Sequence, residues 1–442
     1  MLPPAPVPPL PTAPVLSEQY RRCWWFLGVS WLTTVMAHET YLLPLNFLLK
    51  DHLHCTAAMT SLFIFVGRFA NYVKPVAGIF TDAVPLCGTR RRHYLLFSLA
   101  ACALGWLIFV LIPRQYGVML AWYLLLYLAI VFVSTTLGGV MAEAGARFHA
   151  TGRLSAQRIA IFRIAALFGG PLGGWLSLFD FRWTGVVIAA YYLILIPLIY
   201  RELLEGPSRP GDVVVETDMG VEVFRNGVRV GPPAIGAAGM SATLTEMSSQ
   251  FGVLLGSSTL WKAAGLVILI MVAPGFATPL LYYQTDTLMF PKTFVGTLKM
   301  VEGAGGITGA LIFGLLCRRI GLRPLLSLGI LLHCGGALLF LAYRSPTSAL
   351  VITAIYWCGQ TLAVLPLYDL AIRATPRGVE AMGYSVMMSV WNLTYQLSDV
   401  VGARLFVPLG FNTLLFLNAG TTALVLFFIP MLPKALTECR DQ

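Results

Sequence analysis

The sequence predicts an all-α membrane protein with twelve transmembrane helices in two pseudo-symmetric six-helix bundles. Three observations carry this. Of 442 residues, 57% are apolar and only 11% charged, against about 25% charged in soluble domains. Apolar runs of the roughly twenty residues needed to cross a bilayer recur along the chain. The stretch KPVAGIFTDAVPLCGTRRRHYLLF, 74–97, joins two such runs through Pro85, Gly88 and three consecutive arginines. Two membrane helices meeting in a tight turn have this form, because the arginines cannot cross a bilayer cheaply.

Taken in order, the chain opens with a tail, 1–21. Its first 19 residues are proline-rich and carry no lysine or arginine. That excludes the basic start of a secretory signal and an arginine-rich transit peptide. It leaves a disordered, polyproline-like segment, with a ligand for a proline-binding domain as the alternative. The N-terminal bundle, 22–200, holds spans near 23–48, 58–80, 94–113, 118–142, 157–178 and 183–200. The central loop, 201–258, is too polar to cross; within it VVVETDMGVEVFRNGVRV alternates around Asn226-Gly227 and predicts a small β-hairpin. The C-terminal bundle, 259–434, holds spans near 262–284, 294–316, 322–343, 348–372, 380–404 and 411–432. A short tail, 435–442, closes the chain.

The net charge of +10 would point to nucleic acid in a soluble protein. Here the cations cluster between apolar runs, so no nucleic-acid partner is expected and the lipid bilayer is the first partner. The turns after spans 2, 4, 8 and 10 carry Arg90–Arg92, Arg147 with Arg153, Arg318 with Arg319 and Arg323, and Arg373 with Arg377. Those after spans 1, 3, 5, 7 and 9 carry one cation each: Lys50, Arg114, Arg182, Lys292 and Arg344. The positive-inside rule therefore places both termini and the central loop in the cytoplasm of a plasma, inner or organelle membrane. The eight cysteines form no CxxC pair and no metal spacing, so no cofactor or metal is expected. There is no phosphate-binding loop, HExxH or GxSxG, which argues against an enzyme and against an ATP-driven pump.

The two halves repeat a signature. Gly78-x3-Asp82…Gly88-x-Arg90 in the first has a counterpart, Gly314-x3-Arg318-x2-Gly321-x-Arg323, in the second. Six spans, a central loop and six spans with this turn resemble the major facilitator superfamily, whose substrate cavity lies between the halves near the midplane. Four stretches resemble the folate–biopterin transporter family more specifically. They are FLLKDHLHCT, KPVAGIFTDAVPLCGTRRRHYLL, YYQTDTLMFPKTFVGTLK and LPLYDLAIRATPRGVEAMGYSVMMSVWNL. In span 4, STTLGGVMAEAGARF keeps only Glu143 and Arg147 of that family's charged residues. The resemblance implies a secondary active transporter of a folate- or pterin-like organic anion, working by alternating access as a proton symporter and as a monomer. Two alternatives stay open: a facilitator carrier of another solute (sugar, drug, amino acid), and a non-transporting ligand sensor or scaffold of the same fold.

Charged groups inside spans face a cavity or a partner. In span 1, Glu39 and Asn46 share a face; Glu39, with Glu143, is the candidate proton-coupling carboxylate, or else pairs with a cation such as Arg68. Span 2 offers Arg68, Asn71 and Lys74 on one side, where the guanidinium could hold a substrate carboxylate or neutralise Glu39 or Glu143. The resemblance assigns Asp82 and Arg90, Arg91 and Arg92 to a cytoplasmic gate, with Lys74, Gly78, Arg318 and Arg323 beside them. A purely topogenic role for the arginines is the alternative. Ser385, Ser389, Asn392, Gln396 and Asp399 make a polar stripe down span 11, read as cavity lining or as hydrogen bonding between helices. In span 7, Pro274 and Pro279 predict a break, and Tyr282 and Tyr283 could stack on a flat ring or sit at the membrane interface. Glycines 169, 170, 173 and 174 in span 5, and 303, 305, 306 and 309 in span 8, predict close helix packing.

Overall fold

The computed structural model describes residues 13–203 except 84, 85, 88, 90 and 149, the strands at 213–217, 220–225 and 228–231, then 249, 251–317, 319–373, 375 and 380–429. Span 1 is a 35-residue helix, Ala13–Phe47, followed by a wider π turn, Leu48–His52. Residues 13–21, expected to belong to the tail, therefore continue the first helix. Arg22, within this helix, pairs with Glu202 at the end of span 6, 3.1 Å apart.

Span 2 is broken into three pieces, Ala57–Gly67, Phe69–Tyr72 and Lys74–Ala83. The breaks fall at Arg68 (φ −93°, ψ 14°) and Val73 (φ −109°, ψ 23°). Pro75 explains the second, because it has no N–H to donate and its ring crowds the preceding turn. Spans 3 to 6 are Arg92–Phe109, Tyr116–Arg147, Thr151–Leu176 and Phe181–Glu202. Asp180 caps the last of these by accepting from the Arg182 N–H at 2.9 Å.

Span 7 begins as Ser258–Met271, breaks around Pro274 and Gly275, and resumes as Ala277–Tyr282 with a π turn, Tyr283–Thr287. Both halves thus end their first span in a π turn, an echo of the repeat read from the turn signatures. Spans 8, 9 and 10 are Lys292–Leu316, Leu322–Leu339 and Pro346–Arg373. Spans 11 and 12 run as one helical stretch, Glu380–Leu424, bent after Pro408 at Gly410 (φ 76°, ψ 168°), a left-handed φ that glycine adopts without a Cβ penalty. The separate boundaries expected near 404 and 411 are replaced by that bend. Eight helices among the described residues are long and apolar enough to cross a membrane, one of them covering spans 11 and 12 together. Span 1 and the interrupted spans 2 and 7 complete twelve.

In the central loop the expected hairpin is larger. Antiparallel strands β1 (Val213–Thr217), β2 (Gly220–Arg225) and β3 (Val228–Gly231) form a meander. Thr217 pairs with Gly220 and Arg225 with Val228; Asn226-Gly227, around which the hairpin is expected, lie outside the described residues.

Among the described residues the buried apolar side chains fall into three main clusters. The N-terminal one is built around Leu27, Phe63, Leu99, Trp106, Tyr123 and Ile188. The C-terminal half divides its core between Leu260, Val267 and Ile330 toward one end and Phe276, Phe340 and Leu414 toward the other. The last of these also takes in Leu43 and Phe47 of span 1, so the seam between halves is apolar at that end, while small residues and charges line it at the span 5–span 8 contact.

Candidate functional site

The seam is set by the glycines of span 5. A Cβ on Gly169 would meet the Glu39 Cβ at 2.5 Å, and one on Gly170 the Lys299 Cβ at 2.5 Å. Gly173 packs on the Thr40 carbonyl and Gly174 on Gly296. Spans 1 and 8 therefore press against adjacent sides of span 5, which puts Glu39 and Lys299 at one depth. Gly303 and Gly306 of span 8 face span 5 in turn, while Gly305 and Gly309 face span 10. With no hydrophobic drive between helices in lipid, close backbone approach of this kind holds them together.

Into that seam project more charges than the stripe patterns alone suggest. Lys299 pairs with Glu302 one turn away at 2.7 Å. Arg163 of span 5 crosses between the halves, its Nη2 donating to Thr361 Oγ1 at 3.1 Å. Glu39 is half-buried and lies in the field of Glu302, Lys299, Arg68 and Arg163, yet no ion pair engages it among the described residues. The expectation that Arg68 simply neutralises Glu39 or Glu143 is not met. Arg68 is 8% exposed. Its Nε donates to the Tyr123 hydroxyl at 3.4 Å, its guanidinium sits 5.7 Å from the centre of the Tyr127 ring, and its buried Nη2 has no partner. The Tyr123 hydroxyl is itself held 3.2 Å from that of Tyr41, which reaches His38 Nδ1 at 3.1 Å. A cation carried on a helix break and steadied from one side by phenol groups has its remaining donors free for an anion.

Asn71 and Lys74 follow Arg68 down the broken span 2, both half-buried. Across from them span 11 packs along all three pieces of span 2. Its Asn392 and Gln396 are half-buried, Ser389 Oγ is buried without a partner, and Tyr395 is 40% exposed. This part of the stripe thus offers unengaged polar groups toward protein rather than lipid, as its placement on a membrane helix demands. Asp399 is different. Its Oδ1 accepts from the Thr278 N–H at 2.9 Å and its Oδ2 from the Thr278 hydroxyl at 2.5 Å. It caps the helix that restarts span 7, and its lone pairs are engaged there rather than offered to a ligand.

The two tyrosines of span 7 are not brought to this set. Tyr283 stacks on Phe411, centroids 4.3 Å apart at 12°. Tyr282 is 7% exposed and donates to the Cys55 carbonyl at 2.6 Å. At the other face of the bundle, Arg91 holds Glu143 through Nε at 3.0 Å and Nη2 at 2.8 Å, and its guanidinium packs onto Gly139. Glu143 is therefore joined to its own bundle, well apart from Glu39. Arg92 lies over the Tyr200 ring at 4.5 Å and donates to the Tyr200 carbonyl. Gly78 lies against Thr135, where a Cβ would make ordinary contact, and Arg323 is half-buried. The side chain of Asp82, and Arg90 and Arg318, lie outside the described residues.

Sequence reasoning missed Arg163, Lys299 and Glu302. The signal was present: each is an ionisable residue inside an apolar span, which by default marks a functional position.

Comparison with known proteins gives a consistent result. The profile of the BT1 family matches residues 36–438. The chain is 24% identical to a folate-biopterin transporter of Synechocystis sp., over 90% of this chain and 80% of that one. It is 24% identical to a probable folate-biopterin transporter of Arabidopsis thaliana, over 89% and 91%, and 21% identical to a folate transporter of Plasmodium falciparum, over 89% and 76%. Among solved structures it superposes on a D-xylose–proton symporter with a TM-score of 0.67 at 13% identity, covering 94% of this chain and 98% of that one. A POT family transporter gives 0.69 at 12% identity, covering 93% and 96%. These structures share the fold.

Proposed function

Because the chain belongs to the BT1 family, we propose that it carries a folate- or pterin-like organic anion by alternating access between its two bundles, with a proton as the coupling ion. It is a multi-pass membrane transporter of a small organic solute with the major facilitator fold, and not an enzyme. The observation that carries the finer reading is Arg68, a buried guanidinium whose Nη2 has no partner among the described residues, in the field of a carboxylate, Glu39, that forms no ion pair among the described residues.

In this reading the cargo's carboxylate binds Arg68, while Asn71, Asn392 and Gln396 address its polar ring edges. Lys74 adds positive charge along the same side, which favours an anion over a neutral sugar. Glu39 takes and releases the proton, since a carboxylate with no fixed ion pair can change charge without stranding a buried cation. The lysine and arginine pattern supports both termini in the cytoplasm, on the face of the even-numbered turns.

The test is uptake of radiolabelled folate and pterins into proteoliposomes, with and without an inward proton gradient, for the native protein and Glu39→Gln. Gradient-driven uptake lost in the variant supports cargo and coupling together. Uptake indifferent to the gradient removes the role of Glu39. No uptake of either compound by folded protein rejects the cargo.

A further inference from the structure

At the face of the even-numbered turns, the start of span 1 lies beside the end of span 6, and their arginines converge. Arg22 Nη2 lies 3.1 Å from Glu202 Oε2, and Arg201 Nε lies 3.6 Å from Glu202 Oε1. The two arginine side chains are 63% and 84% exposed. A guanidinium has five N–H donors, so one carboxylate shared by two of them leaves donors for another anion. Arg21 is exposed one residue before Arg22. On the far side of span 6, Arg92 donates to the Tyr200 carbonyl at 3.0 Å and lies over the Tyr200 ring. Four arginines thus stand against two carboxylates, Glu202 and the exposed Glu18, among the described residues of this corner.

Toward the membrane the same corner turns aromatic and then apolar. Tyr20, Arg21, Trp24 and Trp25 line an open groove of about 390 Å³, and Trp25 is 60% exposed. By helical spacing, Trp25, Val29 and Leu32 continue the side of span 1 that carries Arg21, and Ile194 continues the side of span 6 that carries Arg201. All four are exposed. Guanidinium, indole and aliphatic side chains follow one another down the corner as phosphate, ester and acyl chain do in a phospholipid. A soluble anion would meet the arginines and gain nothing from the wall beneath them. A lipid meets both, and it is already confined to the plane of the groove.

We propose that this corner of spans 1 and 6 binds an anionic phospholipid, its phosphate on Arg22 and Arg201 with Arg21 beside them, and its chains along Trp25, Val29 and Ile194. Arginine suits the role because its planar fork pairs with phosphate oxygens two at a time. The site is more than the general preference of cations for one side of a membrane. Glu202 gathers two guanidiniums at one point, and exposed ion pairs of this kind are weak enough for a phosphate to share them. The inference goes beyond transport and depends on neither the cargo nor its coupling.

The experiment adds lipid to the purified full-length protein in a neutral detergent and measures bound lipid by native mass spectrometry. Dioleoylphosphatidylglycerol is compared with dioleoylphosphatidylcholine, which has the same chains and no net charge. The native protein is expected to prefer the first by about ten-fold. Arg22→Gln combined with Arg201→Gln is expected to abolish that preference, and Arg201→Gln alone to cut it about three-fold. Should the double variant fail to fold, the single one still decides, since Arg201 is the more exposed of the two. Arg182→Gln combined with Arg344→Gln removes two exposed arginines from the opposite face and is expected to change the preference by less than about two-fold. Equal retention of the two lipids by the native protein overturns the proposal. So does an equal loss in both double variants, because net charge alone would then account for binding. Glycerol 3-phosphate, a phosphate without chains, is expected not to compete. If it displaces phosphatidylglycerol at equal concentration, the corner takes soluble anions and the proposal falls.

Discussion

Asp399 on span 11 receives both the backbone N–H and the hydroxyl of Thr278 on span 7, at 2.9 and 2.5 Å. A carboxylate from one span thus supplies the cap that the restarted helix of another cannot provide for itself. Its N-cap position is held by Phe276, which has no side-chain acceptor. Asp399→Ala leaves two buried donors unsatisfied and is expected to cost about 1–3 kcal/mol. The check is the thermal midpoint of the purified protein. Asp399→Asn keeps one acceptor and should fall between the two, while cargo affinity, where measurable, stays near the native value.

Arg68 gives the opposite pattern. Arg68→Lys keeps the charge but loses the planar fork and the Tyr123 contact, so cargo binding should weaken by about 1.5–3 kcal/mol, or roughly 10- to 150-fold. The thermal midpoint should move little. Equilibrium binding of the radiolabelled cargo, alongside thermal unfolding, separates the two quantities.

The span 5–span 8 contact should tolerate no added volume. A Cβ on Gly174 would lie 2.9 Å from both the Gly296 Cα and the Lys292 carbonyl. Gly174→Val is expected to cost about 1–3 kcal/mol by overpacking. Gly265→Ala, in a helix where a Cβ meets nothing within 4 Å, should be neutral or slightly stabilising. Thermal unfolding of the two variants side by side makes the comparison.

One carboxyl outside the membrane carries a pH signature. The Arg182 backbone N–H, helped by the Arg114 guanidinium at 3.0 Å, holds Asp180 below the ordinary aspartate range. A carboxyl with a lowered folded-state pKa contributes stability that is fully present above its unfolded value. That stability is lost as pH falls through the folded value. Unfolding midpoints of the native protein should therefore drop on the acid side of the ordinary aspartate pKa of about 3.9. In Asp180→Asn that part of the drop should be absent. The effect is small, because the side chain is 49% exposed and solvent screens it.

By itself the sequence determined the class, the two halves, the twelve spans and the family. Each of these rests on one-dimensional signals: apolar runs of bilayer length, cations concentrated in alternate turns, a signature repeated in each half, and stretches shared with relatives. It also marked Glu39, Arg68 and the span 11 stripe, because a charge or polar stripe in lipid needs a reason. What only the tertiary structure decided is which of these groups are already engaged. Ser389, Asn392 and Asp399 look alike on a helical wheel, yet Asp399 is engaged by Thr278, 121 residues away in sequence. Tyr282 looks like a stacking platform until its hydroxyl is found on Cys55, 227 residues distant. Glu143 looks like a coupling acid until Arg91 takes it. Hydropathy and periodicity describe how a helix meets its solvent. Partners on other helices are chosen by packing, and that information exists only once the chain has folded.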